Sequence, residues 1–137
     1  MENTIFTNAD AIETKPEYGM KWHKFLIWVG LFFLAAINIF DGIQCMQYTY
    51  LTGMAAVFGI AEILIGVFLI YVRFALARFK VNAVDCFTGV QVAALLLGVI
   101  ADLYFGEGLD FASMIGTIGM IKITREYYSK RAELFVN

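Results

Sequence analysis

Along the chain, polar and apolar residues separate into blocks instead of alternating. A polar stretch from Met1 to Met20 precedes four apolar runs: Phe25 to Cys45, Met54 to Val72, Val84 to Leu103, and a shorter one from Leu109 to Ile121 that meets Lys122. At a rise of 1.5 Å per residue, about 20 residues cover the ~30 Å of bilayer hydrocarbon. The first three runs approach that length. The fourth does so only if its helix continues through Lys122, whose long stem can carry the ammonium back to the headgroups. The runs are apolar on every face, whereas a barrel needs many short alternating strands, so helices are the expected spanning form.

The pattern therefore predicts an all-α fold, a four-helix transmembrane bundle with spans at about 25–45, 54–72, 84–103 and 109–128. A polar tail over 1–22 leads into a membrane domain over 23–137. The segment Met1 to Met20 lacks the basic start and apolar centre of a signal peptide and is expected to persist as a cytoplasmic tail. Short connections after the first and third spans predict two antiparallel hairpins, with no room for an external domain.

Basic residues provide an independent topology signal, because they resist translocation. Lys15, Lys21 and Lys24 precede the first span; Arg73, Arg78 and Lys80 lie between the second and third; Lys122, Arg125, Lys130 and Arg131 close the chain. The connections Met46 to Gly53 and Tyr104 to Gly108 contain neither Lys nor Arg. Both termini are accordingly expected in the cytoplasm. Tyr48, Tyr50 and Tyr104 suit an outer aromatic belt, and Trp22 and Tyr71 an inner one. The closing segment Lys130 to Phe135 mixes cations with Leu134 and Phe135, as expected of a helix resting on anionic lipid.

Composition agrees: 61% of the 137 residues are hydrophobic, 16% are charged and mean hydropathy is +0.73. That balance is far from a soluble domain's and excludes a mainly disordered chain. A net charge of -2 gives no reason to expect nucleic acid. Cys45 and Cys86 fall near opposite ends of their spans, too far apart to pair within one chain. His23 stands beside Lys24 as an interfacial flank, so no metal site is expected. No nucleotide loop, serine elbow or HExxH motif occurs, and neither an enzyme nor a cofactor is expected.

Three stretches carry a likeness to known proteins: Lys21-Trp22-His23-Lys24-Phe25-Leu26-Ile27, Arg73-Phe74-Ala75-Leu76-Ala77-Arg78-Phe79-Lys80 and Lys130-Arg131-Ala132-Glu133-Leu134-Phe135-Val136-Asn137. Together they resemble a group of small four-span bacterial membrane proteins without an assigned activity. The resemblance implies a bacterial inner-membrane location and nothing catalytic. Some members of that group carry a zinc ribbon before the first span, and the cysteines for it are missing from this sequence.

Polar residues inside the spans carry the remaining information, since a carboxylate near the bilayer centre costs at least ~2.5 kcal/mol on insertion scales. Glu62 lies ~12 Å below the outer boundary on a helical face with Ala55, Gly59 and Gly66. Small residues admit a neighbouring backbone, so this face is expected to pack, within the bundle or in an oligomer seam. Asn38 falls at similar depth, within reach of a hydrogen bond to the Glu62 carboxyl, and burial without a cation favours the neutral acid. Gln91 shares a small, polar face with Thr88, Ala94, Gly98 and Asp102. On the fourth helix Ala112, Gly116 and Gly119 form a further packing face. Asp85 is placed to cap its helix or to meet a cation, while Asp41 and Asp102 mark solvated helix ends.

Two functional readings follow. In one, Asn38, Glu62 and Gln91 are interhelical glue, each hydrogen bond worth on the order of 0.6 kcal/mol. The protein is then structural, or binds membrane lipid, its own copies or another membrane protein. In the other, the same residues form a ligand- or proton-binding path, and Glu62 is the titrating group of a small proton-coupled transporter or channel.

Overall fold

The computed structural model describes residues 20–135. Helix α1 (Lys21–Phe25), a π-helical turn (Leu26–Gly30) and α2 (Leu31–Gln47) run on as one rod. Then come α3 (Gly53–Ala77), α4 (Ala83–Phe105), α5 (Phe111–Ser129) and a 3-10 turn (Ala132–Leu134). The described residues contain no strand. Most of the expected tail, 1–22, lies outside them.

Local chemistry sets the helix boundaries. Thr52 is extended, and its hydroxyl accepts the Met54 N–H at 3.3 Å to start α3. The Asp110 carboxylate accepts the Ser113 N–H at 3.1 Å to start α5. Gly106, at φ +72°, ends α4 in the left-handed conformation that a side chain would oppose. The first three helices overrun their apolar runs at both ends, because backbone hydrogen bonding continues beyond the point where hydrophobicity stops, whereas α5 starts two residues inside its run, where Asp110 caps it, and continues past Lys122.

Three helical stretches are long and apolar enough to cross a membrane: Lys21–Tyr50, Gly53–Ala77 and Ala83–Phe105. Helix α5 has 19 residues, about 28 Å of length, at the position expected for a fourth span. Lys122, Arg125 and Glu126 fall within it, so composition sets it apart from the other three. Trp28, Phe33, Phe40, Leu64, Leu96 and Ile115 all point outward. An apolar exterior of this kind is stable against lipid and unstable against water.

The tightest packing is between α2 and α3. A Cβ added to Gly42 would stand 2.6 Å from the Gly59 carbonyl oxygen, and one added to Gly59 would stand 2.7 Å from that of Gly42. One on Gly66 would meet the Ala35 carbonyl at 2.9 Å. Ala55, Gly59 and Gly66 are therefore buried against α2 of the same chain, on a face completed by Ala35 and Gly42. That face is used up internally and has nothing left for a seam between copies. Gly98, Gly116 and Gly119 differ: a Cβ on any of them would find nothing within 4 Å. The packing expected there is not made among the described residues.

At the basic end the first and last rods are tied together. The His23 ring pairs through Nδ1 with the Tyr128 hydroxyl at 2.7 Å and stacks on Phe79 at 4.9 Å. Phe135 folds back onto this group, 5.5 Å from Phe79 and 5.2 Å from Tyr128. Phe79 holds a φ of +51°, an uncommon conformation for a bulky residue, which turns its ring under His23. Two expectations are corrected here. His23 is 4% exposed, a core residue and not an interfacial flank. The segment after α5 forms a short turn with Phe135 buried, in place of a helix lying on lipid. Both read as interfacial because their sequence neighbours are charged, whereas their partners are remote in the chain.

Gly42→Ala or Gly59→Ala is expected to cost about 1–3 kcal/mol by forcing the α2–α3 backbones apart, whereas Gly98→Ala leaves thermal unfolding in detergent unchanged or slightly raised. Tyr128→Phe leaves the buried His23 nitrogen without its hydroxyl partner, at a cost of about 1–3 kcal/mol. Limited proteolysis is then expected to cut faster within residues 130–135.

Candidate functional site

Consecutive helices pack side by side; His23 of α1 ties the first rod to α5 at the basic end, while α2 itself makes little contact with α5. The gap between them is a cavity of about 310 Å³. Asn38 and Asp41 of α2, Glu62 of α3, Gln91, Gly98 and Asp102 of α4, and Ser113 and Thr117 of α5 line it, with Asp110 at the start of α5. The three polar residues picked out from the sequence thus face one space. Gly98 borders the same space, and its missing side chain widens it.

Glu62 sits at the edge of the glycine seam, between Gly59 and Gly66. The close approach of α2 that those glycines permit brings Asn38 and Asp41 alongside it. A second cavity, of about 530 Å³, shares Asp41 and Glu62 and extends past Gln44, Thr52 and Glu107 to the helix connections. Glu62 is half-buried and stands in the wall between the two.

The hydrogen bonds differ from the expected pairing. The Asn38 amide donates to the Leu34 carbonyl of its own helix at 2.8 Å, and so does not reach Glu62. An amide one turn along a helix finds that carbonyl without any help from tertiary structure. Glu62 and Gln91 have no hydrogen-bond partner among the described residues, although Gln91 is only 7% exposed. Asp102 and Asp110 are partly committed: Asp102 Oδ2 accepts the Asp110 N–H at 3.3 Å, and Asp110 caps α5. They brace the α4–α5 connection and also lend charge to the cavity.

No Lys or Arg occurs between Lys24 and Arg73, or between Lys80 and Lys122. Asp41, Glu62, Asp102, Glu107 and Asp110 therefore gather at one end of the bundle with no cationic side chain supplied by those stretches. Low-dielectric walls lined by one sign of charge focus the field and raise the local concentration of cations. Among the described residues, no three His, Cys, Asp or Glu side chains are placed to hold a metal ion. Cys45 and Cys86 are free thiols. At the other end, Asp85 meets Arg125 at 3.6 Å in an exposed pair of little energetic weight, and no side-chain cap is made to α4.

Sequence reasoning did not single out Ser113, Thr117 or Asp110, and it took Asp41 and Asp102 for solvated ends. A signal was present: every carboxylate from Asp41 to Glu62, and again from Asp102 to Asp110, stands in a stretch free of cations. Against family models, curated proteins and solved structures, the chain finds no match.

The arrangement offers one half-buried carboxylate, an unpaired carboxamide and a surrounding negative field, in a space at the small end of ligand pockets. It suits a proton or a small organic cation, with amide and hydroxyl groups to orient it. With Cys45 and Cys86 replaced by Ser, single cysteines at Asn38, Gln91 or Ser113 are expected to react with a charged, membrane-impermeant thiol reagent in reconstituted protein. Cysteines at the outward-facing Leu96 or Ile115 are expected to stay unlabelled. Equal labelling of both sets would show that the cavity is not a separate aqueous space.

Proposed function

We propose that this chain is a multi-pass protein of the bacterial inner membrane that takes up a proton or a small organic cation in the cavity around Glu62. Exchange of the two at the carboxylate makes it a small proton-coupled transporter. The observation that carries this reading is the pairing state of the polar groups. Glue would join Asn38, Glu62 and Gln91 across helices; instead Asn38 bonds its own backbone, and Glu62 and Gln91 face an open space unpaired. A carboxylate and an amide held in that way cost desolvation free energy with no return in stability, which is the signature of groups kept for a ligand.

The distribution of basic residues supports a topology of four crossings with both termini cytoplasmic. Helix α5 then crosses with Lys122 reaching toward the inner headgroups, and the acidic cavity opens on the outer side. The resemblance of the basic segments to small four-span bacterial proteins supports the same placement. No step in this reading requires covalent chemistry by the protein.

A second reading, as a binding partner within a membrane assembly, is favoured by one feature: on the small face of α5 a Cβ added to Gly116 or Gly119 would meet nothing within 4 Å among the described residues, and Ala112 beside them is exposed. A helix of another copy, or of another membrane protein, fits such a face.

The test uses proteoliposomes with an imposed pH gradient and ethidium as the cationic probe. Wild-type protein is expected to accelerate ethidium movement against the proton gradient. Glu62→Gln should lower that rate about tenfold or more, equivalent to ~1.4 kcal/mol or above, while gel filtration shows the same assembly. Movement that does not depend on the gradient, or that survives Glu62→Gln unchanged, would overturn the transport reading. Loss of assembly with Gly116→Leu would favour the partner-binding one.

A further inference from the structure

We infer that Arg73, on the lipid-facing flank of the α2–α3 hairpin, is a binding site for the phosphodiester of a membrane phospholipid. Arg73 stands one residue beyond the apolar run Met54 to Val72, where the hydrocarbon of the bilayer gives way to phosphate. Its setting is built around it. In the π-helical turn the Leu31 N–H reaches the Leu26 carbonyl, one residue further back than an α-helix would take it. The Ile27 carbonyl thereby loses its α-helical donor, and Arg73 Nε donates to it at 3.0 Å. The arginine is anchored by one edge to the neighbouring rod.

Three aromatic rings fix the rest of the guanidinium. Its central carbon lies 5.1 Å from the ring centre of Trp28, 4.7 Å from that of Phe32 and 4.6 Å from that of Phe74. All three rings are exposed on the outer surface of the hairpin, and cation–π attraction strengthens away from water. These faces hold the charge in place but accept no strong hydrogen bond. The two Nη groups have no acceptor among the described residues. The sequence offers none close by: residues 21–40 and 63–82 contain neither Asp nor Glu. The acceptor must come from outside the hairpin. At this depth, beside rings that present apolar surface to acyl chains, the anion at hand is a lipid phosphate, and the planar fork formed by the two Nη groups matches its two oxygens. Lys24, exposed four residues before Trp28, adds positive charge to the same end of the rod.

The test is native mass spectrometry of the full chain in detergent, titrated with phosphatidylglycerol, with a phosphate-free galactosyl diacylglycerol, and with phosphatidylglycerol in the presence of excess inorganic phosphate. Expected are retention of phosphatidylglycerol, at least about tenfold weaker retention of the galactolipid, and no displacement by inorganic phosphate. Arg73→Gln should weaken phosphatidylglycerol retention about tenfold, in line with the loss of charge-assisted hydrogen bonds. Arg73→Lys keeps the charge but lacks the fork and should fall in between. Trp28→Leu leaves the Arg73–Ile27 bond in place and should weaken retention several-fold, which keeps the test informative if Arg73→Gln does not fold. Retention unaffected by either Arg73→Gln or Trp28→Leu, or equal retention of the galactolipid, would overturn the assignment. Displacement by inorganic phosphate would mark a site for the free anion and overturn the lipid as its occupant.

Discussion

The contact between the backbones of α2 and α3 at Gly42, Gly59 and Gly66 underlies the rest of the molecule. In lipid there is no hydrophobic gain from bringing two apolar helices together, so association depends on how closely they can approach. Glycine removes the side chain that would hold them apart, and each helix's Cα surface then rests on the other's carbonyls. The register set by this seam decides what lies beside it. It brings Asn38 and Asp41 next to Glu62 at one end, and Ile27 next to Arg73 at the other. A bulkier seam would separate both pairs at once.

The two ends of the bundle are electrostatic opposites with different packing. The basic end is closed by aromatic rings, where His23, Phe79, Tyr128 and Phe135 join parts of the chain far apart in sequence. The acidic end is left open, since α2 makes little contact with α5 and Gly98 of α4 leaves part of the gap unfilled. A tie at one end with a gap at the other lets a bundle of this size hold a polar cavity while keeping an apolar exterior. The π-helical turn belongs to the closed end: it converts one backbone carbonyl from an internal partner into an anchor for Arg73.

Much of the architecture was legible in the sequence because hydrophobic blocks report directly on length and environment. The runs beginning at Phe25, Met54 and Val84 predicted helices that are present, and the small residues Ala55, Gly59 and Gly66 shared a face that is buried. Glu62, Asn38 and Gln91 stood out because polar groups in apolar runs are costly. What was missed depended on partners distant in the chain. Nothing near His23 announces that it is buried, since its hydroxyl partner, Tyr128, lies on the last helix. The Asn38–Glu62 bond looked available by depth, yet the Leu34 carbonyl is local and wins. The seam's other half, Ala35 and Gly42, was passed over because one small residue in a long apolar run carries little signal without its partner.

The sequence by itself determined that this chain is helical and apolar, where its helices fall, and that its acidic and basic residues separate along the chain, because each of these follows from local composition and the fixed rise of a helix. Only the tertiary structure decided which faces meet, that the Glu62 and Gln91 side chains open onto a shared cavity instead of bonding each other, and that Arg73 reaches across to a π-turn. Those outcomes depend on rotation and tilt of one helix against another. Backbone contacts between residues remote in sequence set that geometry, and no local pattern encodes it.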